Sequence, residues 1–197
     1  MGSLFPKIYD MAMKPLEATR FKKVRNELIR NARGNVLEIG SGTGINFPYY
    51  QQANHVTAIE PNPEMSSRAM RRGRNAQVPI TLYEACAETL PFSDHSFDTI
   101  ISTLVFCTIP DPLLALKEIQ RVSKPDATIV FFEHVKMKQP NLAKAQDLLN
   151  PLWEKVCDGC QINRDTLSMI FDSGICVEEI ESLYGGLFLS IKCKKYE

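Results

Sequence analysis

Residues 36–44 read Val36-Leu37-Glu38-Ile39-Gly40-Ser41-Gly42-Thr43-Gly44, an apolar run that ends in three alternating glycines. Sixteen residues beyond Gly44 a second apolar run ends in Glu60. An unbroken Val/Leu/Ile run reads as a strand buried on both faces of a parallel sheet. Glycines at its end let the chain turn tightly and let the backbone approach a ligand at the next helix N-terminus. A carboxylate at the tip of the neighbouring strand can accept hydrogen bonds from both hydroxyls of a ribose. The pairing predicts a site for a nucleoside-containing cofactor.

The third glycine decides which one. A dinucleotide site runs Gly-x-Gly-x-x-Gly, its last glycine letting helix and strand pack closely beside the pyrophosphate. Counted from Gly40 and Gly42, that position is Ile45, and the glycine comes one residue early at Gly44. The dinucleotide pattern fails, which disfavours a nicotinamide-dependent oxidoreductase. Glu38 would repel a pyrophosphate and attract a cation. The stretch resembles motif I of the class I S-adenosylmethionine (SAM) methyltransferases, whose cofactor has no phosphate and carries a sulfonium and an ammonium.

With 197 residues, 44% hydrophobic and 23% charged, the chain is long enough for one well-buried domain and short for two. Its formal net charge of zero argues against a nucleic-acid partner. Arg68, Arg71, Arg72 and Arg74 spread over more than one helix face and read as a solvated helix end rather than a phosphate site. No segment reaches the roughly 20 apolar residues that span a bilayer, no signal peptide is evident, and Pro6 breaks a myristoylation motif. A cytoplasmic protein is expected, its oligomeric state left open. The six cysteines then read as reduced thiols. Cys157 and Cys160 form a CxxC, but the only later ligands are Cys176 and Cys193 and every His lies upstream, so no metal is expected.

Strands and helices alternate at the spacing of a doubly wound parallel sheet. Strands are expected at 35–39, 55–59, 79–83, 97–103 and 127–135, and helices at 15–32, 62–73 and from 112 on. Asn62-Pro63 and Asp111-Pro112 each supply an N-cap followed by proline, and Leu113, Leu116 and Ile119 mark the inner side of the later helix. Helices at 141–157 and 164–173 precede strands near 175–183 and 186–193, joined at Gly185-Gly186 as an antiparallel hairpin. The methyltransferase resemblance implies an α/β, Rossmann-like seven-stranded sheet of order 3-2-1-4-5-7-6 with strand 7 antiparallel. Residues 1–33 form an N-terminal helical cap segment in this reading and 34–197 the SAM-binding domain. Leu4, Phe5, Ile8, Met11 and Met13 either close over the cofactor or form an amphipathic helix in peripheral contact with a membrane.

Pro91-Phe92, Ser96-Phe97-Asp98 and Arg121-Val122-Ser123-Lys124-Pro125 resemble landmarks of the methyltransferase subfamily that includes quinone-biosynthesis enzymes. Where that subfamily has Gly-Asp-Ala-Glu, this chain has Ala85-Cys86-Ala87-Glu88, which leaves the Ala87 N–H as the expected adenine anchor; Asp126-Ala127 replaces a Gly-Gly. Phe132-Glu133-His134-Val135, Leu149, Pro151, Trp153, Asp158-Gly159-Cys160, Arg164 and Cys107 more closely resemble the mammalian methyltransferase-like enzymes that methylate alkyl thiols. Those relatives carry an N-terminal hydrophobic membrane segment that residues 1–19 do not match.

The resemblance implies SAM as cofactor, held by Glu38, Gly40, Ser41, Gly42, Gly44, Glu60, Pro61, Cys86, Ala87, Glu88 and Thr103. It also implies a small, apolar methyl acceptor, a thiol ahead of an amine, phospholipid or quinone ring. Methyl transfer from a sulfonium needs positioning and desolvation more than catalytic groups. His134, at the end of the fifth strand, is the first candidate general base and otherwise a packed strand-end residue. Asp98 is the second, with fixing of its own loop as its other reading. Trp153, Phe106, Tyr184 and Leu187 either line an acceptor pocket or belong to the core. A SAM-binding module without activity is the remaining rival.

Overall fold

The computed structural model describes residues 20–196. The elements run α1 (Arg20–Ile29), β1 (Arg33–Ile39), β2 (Gln52–Ile59), α2 (Pro63–Gly73), β3 (Ile80–Tyr83), β4 (Phe97–Thr103), α3 (Pro112–Val122), β5 (Ser123–His134), α4 (Pro140–Val156), α5 (Thr166–Asp172), β6 (Cys176–Leu183) and β7 (Phe188–Lys194). The expected closure of the N-terminal segment over the cofactor falls, as far as residue 19, outside the described residues. The expected boundary at residue 33/34 falls at the start of β1.

The strands form one sheet of order β3-β2-β1-β4-β5-β7-β6. The first five pair in parallel, and β7 runs antiparallel to both β5 and β6. The order reverses between β1 and β4, so their C-terminal ends open a crevice at the switch point, where such sheets bind ligands. Leu37, Ile39, Ile100, Ile129 and Phe131 supply the core on one face of the sheet, while Val36, Val56, Ile101 and Val130 supply it on the other. Apolar residues thus leave both faces of the central strands, which is why those strands read as unbroken apolar runs.

Both proline-led helix starts form as their sequences predict. Asn62 Oδ1 accepts from the Glu64 and Met65 N–H groups, and Asp111 Oδ1 accepts from Leu114 N–H. The inner side of α3 differs from the expected one: Ala115, Leu116, Ile119 and Val122 are buried, whereas Leu113 is exposed. β5 starts four residues earlier than expected, and Asp126 sits inside it at φ 60°, a left-handed position for which the family's glycine is the unstrained choice. The β6–β7 turn is a short 3₁₀ segment, Tyr184–Gly186, in which all three residues have positive φ.

Helix α4 presents its polar side inward. Gln146 donates to Val135 O and Ile162 O and accepts from Met137 N–H, while Asn150 accepts from Ile162 N–H and Asp147 from Lys136 and Asn163. Its other side leaves Leu148 82% exposed, with Leu149, Leu152, Trp153 and Val156 also exposed. Among the described residues no helix is long and apolar enough to cross a membrane.

Candidate active site

The glycine turn after β1 is fixed from several directions. Ser41 N–H donates to Ile59 O, and Gly42 N–H donates to Glu60 Oε2 at 2.9 Å. Arg72 of α2 donates to the carbonyl and the hydroxyl of Thr43, so one member of the arginine cluster clamps this loop instead of lying only in solvent. The three glycines do different work. A Cβ on Gly40 would collide with the Val105 side chain at 2.1 Å, and one on Gly44 would meet the Phe47 ring at 2.8 Å and the Ala69 backbone at 3.0 Å. A Cβ on Gly42 would meet no atom of the described residues within 4 Å. Gly42 alone therefore faces open space, and its φ of 57° is one that glycine adopts without strain.

That space is a cavity of about 310 Å³ at the C-terminal ends of β1, β2 and β4. Its wall includes Gly40, Ser41, Gly42, Glu60, Pro61, Cys86, Ala87, Glu88 and Thr103, nine of the residues anticipated for the cofactor. Two others are not on the wall. Gly44 packs against Phe47 and Ala69, the close helix–loop approach of a fingerprint's last glycine. Glu38 is buried behind the cavity, where Oε2 accepts from Tyr50 Oη at 2.7 Å and Oε1 from Asn46 Nδ2 at 3.0 Å. Burial raises its carboxyl to about 7, against the hydrogen bonds of Tyr50 and Asn46 and the charge of Arg25. Glu38 thus supports the wall from behind.

Sequence reasoning missed Arg25, Asn46 and Asp158, which also line the cavity. Arg25 is buried and donates to Asn46 Oδ1 at 2.7 Å and Thr103 Oγ1 at 2.9 Å, tying α1 to β4 across the crevice. A signal was available: Arg25 follows Val24 and lies four residues after Phe21, on the apolar side of α1. Asp158, with φ 53°, comes from the loop after α4 and places a second carboxylate near Glu60. Burial pushes the Glu60 carboxyl up, opposed by the Asn62 and Gly42 N–H groups, and Asp158 adds to the rise.

Glu133 holds the wall that follows β4. Its carboxylate accepts from Ser102 Oγ and from the N–H groups of Val105 and Phe106, at 3.0 to 3.3 Å. Burial raises its carboxyl to about 7, against those bonds and the neighbouring His134. The same wall carries a strained residue, Leu104 at φ 56°, a conformation that costs about 1–2 kcal/mol. Arg121 in turn clamps the opposite loop by donating to Leu90 O and Phe92 O, which gives the Leu-Pro-Phe and Arg-Val landmarks a shared physical reason.

His134 stands at the end of β5, and its Nε2 lies 3.2 Å from Cys160 Sγ. Trp153 Nε1–H also points at that sulfur, at 3.3 Å. Cys107, His134 and Cys160 hold their ligand-type atoms within 4.8 Å of one another, an assembly that the CxxC spacing concealed because Cys160 leaves Cys157 for partners upstream. Cys107 Sγ donates to Leu104 O at 3.9 Å. The hydrogen bond from Cys107 drives the Cys160 thiol strongly down, against burial and with help from His134 and Trp153, while the same contact and deeper burial drive Cys107 up. Cys160 is thus the more acidic thiol of the pair. His134 Nδ1 is buried without a hydrogen-bond partner among the described residues.

Asp98 is not on the cavity wall. It lies at the N-terminal end of β4, at the opposite end of the sheet, where it accepts from Asn35 N–H and Lys124 Nζ, both at 2.8 Å, and covers Gly34. It pins the starts of three central strands. Asp98→Ala is expected to lower the melting temperature by the equivalent of about 1 kcal/mol or less and leave turnover unchanged; lost turnover with unchanged SAM affinity would return Asp98 to the reaction. Nor do the expected acceptor-pocket residues meet in the cavity: Phe106 is core, Tyr184 stacks on Phe21 and Phe188, and Trp153 reaches Cys160. His55 lies in β2 and bonds Thr81, whereas His95 is an exposed loop residue.

The comparisons with known proteins agree with this geometry. A methyltransferase-domain family model matches residues 37–131. Thiol S-methyltransferase TMT1B of Rattus norvegicus is 33% identical over 173 residues, covering 80% of this chain and 71% of that protein. The chain belongs to this methyltransferase family. Phosphatidylethanolamine N-methyltransferase of Cereibacter sphaeroides is 32% identical over 145 residues, covering 72% of this chain and 70% of that protein. A solved S-adenosylmethionine-dependent methyltransferase from Mesorhizobium loti superposes with a TM-score of 0.72 at 15% identity, over 91% of this chain and all of that one. The protein is a SAM-dependent methyltransferase, and its own cavity suits that cofactor. Ser41 Oγ is buried at the wall without a partner among the described residues, Gly42 leaves room at the turn, and two carboxylates face a space that would hold a cation.

Proposed function

We propose that this methyltransferase acts on a small, apolar thiol. The observation that carries the reading is the pairing of His134 with Cys160. If Nε2–H donates to the Cys160 sulfur, the lone pair is on Nδ1, the nitrogen that has no partner among the described residues. Once an acceptor reaches it, such a ring can take a proton, and the anion behind it stabilises the imidazolium that results, as a carboxylate does in a Ser-His-Asp triad. A thiol loses its proton to imidazole readily, and the thiolate is the nucleophile. The 33% identity to a thiol S-methyltransferase supports the same acceptor. An amine acceptor is the second reading, favoured by the similarity to phosphatidylethanolamine N-methyltransferase.

Bound SAM supplies an electrophilic methyl group on a sulfonium. Glu60 takes the ribose hydroxyls in this reading, while its other lone pairs keep the Gly42 and Asn62 N–H groups in place. Gly42 leaves room for the ligand, Ser41 Oγ gains a polar partner, and the Ala87 N–H with the Cys86 and Glu88 backbone lines the adenine. Leu104, Val105, Ile109 and Pro110 give the acceptor's side of the cavity an apolar lining that excludes water. Losing a charge-assisted bond to two hydroxyls costs roughly 1.5 to 3 kcal/mol. Glu60→Ala is therefore expected to weaken SAM by at least about tenfold with the fold intact, read by calorimetry; unchanged affinity would remove Glu60 from the cofactor site.

Peripheral membrane contact belongs to the same proposal. The outward apolar side of α4, with Leu148, Leu152 and Val156 and the cations Lys144 and Lys155 on the same helix, supports it. Phosphatidylcholine vesicles are expected to carry the protein in flotation, and Leu148→Glu with Leu152→Glu to abolish that. Flotation that survives the double change would take α4 out of the contact.

A further inference from the structure

In the sequence, Cys157 and Cys160 stand together as a CxxC of reduced thiols. In the structure Cys160 has a different neighbour. Its sulfur lies with Cys107 and His134 in a group whose members are within 4.8 Å of one another, and Cys157 is not in that group. A backbone bond from Gln161 N–H to Cys107 O, 2.9 Å, lays the two cysteine-bearing segments side by side. The two thiols are also unlike. Cys160 is half-buried, with the His134 ring nitrogen 3.2 Å away and the Trp153 indole N–H donating to it, whereas Cys107 is 3% exposed and its thiol is driven up. A half-exposed thiolate with a protonated thiol beside it is the arrangement that oxidises first and then resolves.

We propose that Cys160 is a peroxide-sensitive modification site that closes a disulfide with Cys107 and so suspends methyl transfer. The Cys160 thiolate attacks hydrogen peroxide; an S–O bond forms, the O–O bond breaks, and hydroxide leaves, so that sulfur is oxidised and peroxide reduced. The Cys107 thiol then displaces water from the sulfenic acid, its proton leaving with the departing oxygen. Two thiols and one peroxide give one disulfide and two waters. Oxidation removes the anion that faces His134 Nε2, so the ring loses the partner that sets its tautomer. Gly40, Gly42 and Glu60 are outside the group, and SAM binding is left intact. A small dithiol returns both electrons and restores the pair.

The test uses the whole chain, reduced and freed of metal by a chelator, then treated with a small excess of hydrogen peroxide. Peptide mapping without reduction is expected to find Cys107 joined to Cys160. Turnover is expected to fall by about tenfold or more, SAM affinity to stay unchanged by calorimetry, and dithiothreitol to restore the rate. In Cys107→Ala the cross-link disappears and dimedone traps Cys160 as a sulfenic acid. A Cys157–Cys160 cross-link would overturn the proposal. So would oxidation of the exposed Cys86 or Cys176 ahead of Cys160, loss of SAM binding together with activity, or a Cys107–Cys160 pair that resists peroxide. The mapping needs no acceptor, so it fails or succeeds independently of the thiol substrate.

Discussion

His134→Asn is expected to lower turnover by about 10² to 10⁴, the range for loss of a general base, with little change in SAM affinity. The expectation rests on the buried Nδ1, which has no hydrogen-bond partner among the described residues, and on the Cys160 sulfur 3.2 Å from Nε2. The acidity of the acceptor supplies the control. A thiol already ionised at the assay pH needs no base, so a low-pKa thiol should rescue the variant where a high-pKa thiol does not. Equal losses on both would leave His134 a positioning residue, and no loss on either would leave it a packed residue at the end of β5.

Gly42→Val is expected to abolish SAM binding while circular dichroism stays native. Its Cβ position is the one in the glycine turn that meets open space, so a side chain there fills the cavity rather than displacing protein atoms. The φ of 57° adds strain of about 1–2 kcal/mol, which a folded domain of this size can bear. The neighbouring glycines predict a different outcome. Substitution at Gly40 or Gly44 drives a side chain into Val105 or Phe47 and should lower stability first. Normal SAM affinity in Gly42→Val would mean that the turn's glycines serve only the fold.

The sheet was legible because its signals are local. Apolar runs, proline-led caps and glycine turns each specify conformation within a few residues, and the right-handed crossover leaves few topologies for five parallel strands. The cofactor end was legible for the same reason, since Gly40 to Gly42 and Glu60 are the tips of adjacent strands. Other parts depended on long-range contact. Glu38 looks like a ligand because it precedes the glycines, yet Tyr50 and Asn46 occupy both its oxygens. The side of α1 that Arg25 occupies can be read from Phe21 and Val24, but its partners Thr103 and Asn46 come only from the folded sheet. Cys160 reads as half of a CxxC, whereas the sheet brings it His134 and Cys107, 26 and 53 residues away in sequence. No spacing rule encodes such a group, because three separate connections build it.

The acceptor is the centre of this account, and one measurement addresses it directly. The purified chain is supplied with SAM bearing a trideuterated methyl group, together with an equal mixture of a small apolar thiol and an amine of matched size. The products are then read by mass spectrometry. The account predicts a trideuteromethyl thioether formed in equal amount to S-adenosylhomocysteine, with the amine unchanged. A trideuteromethylated amine beside an untouched thiol would contradict it.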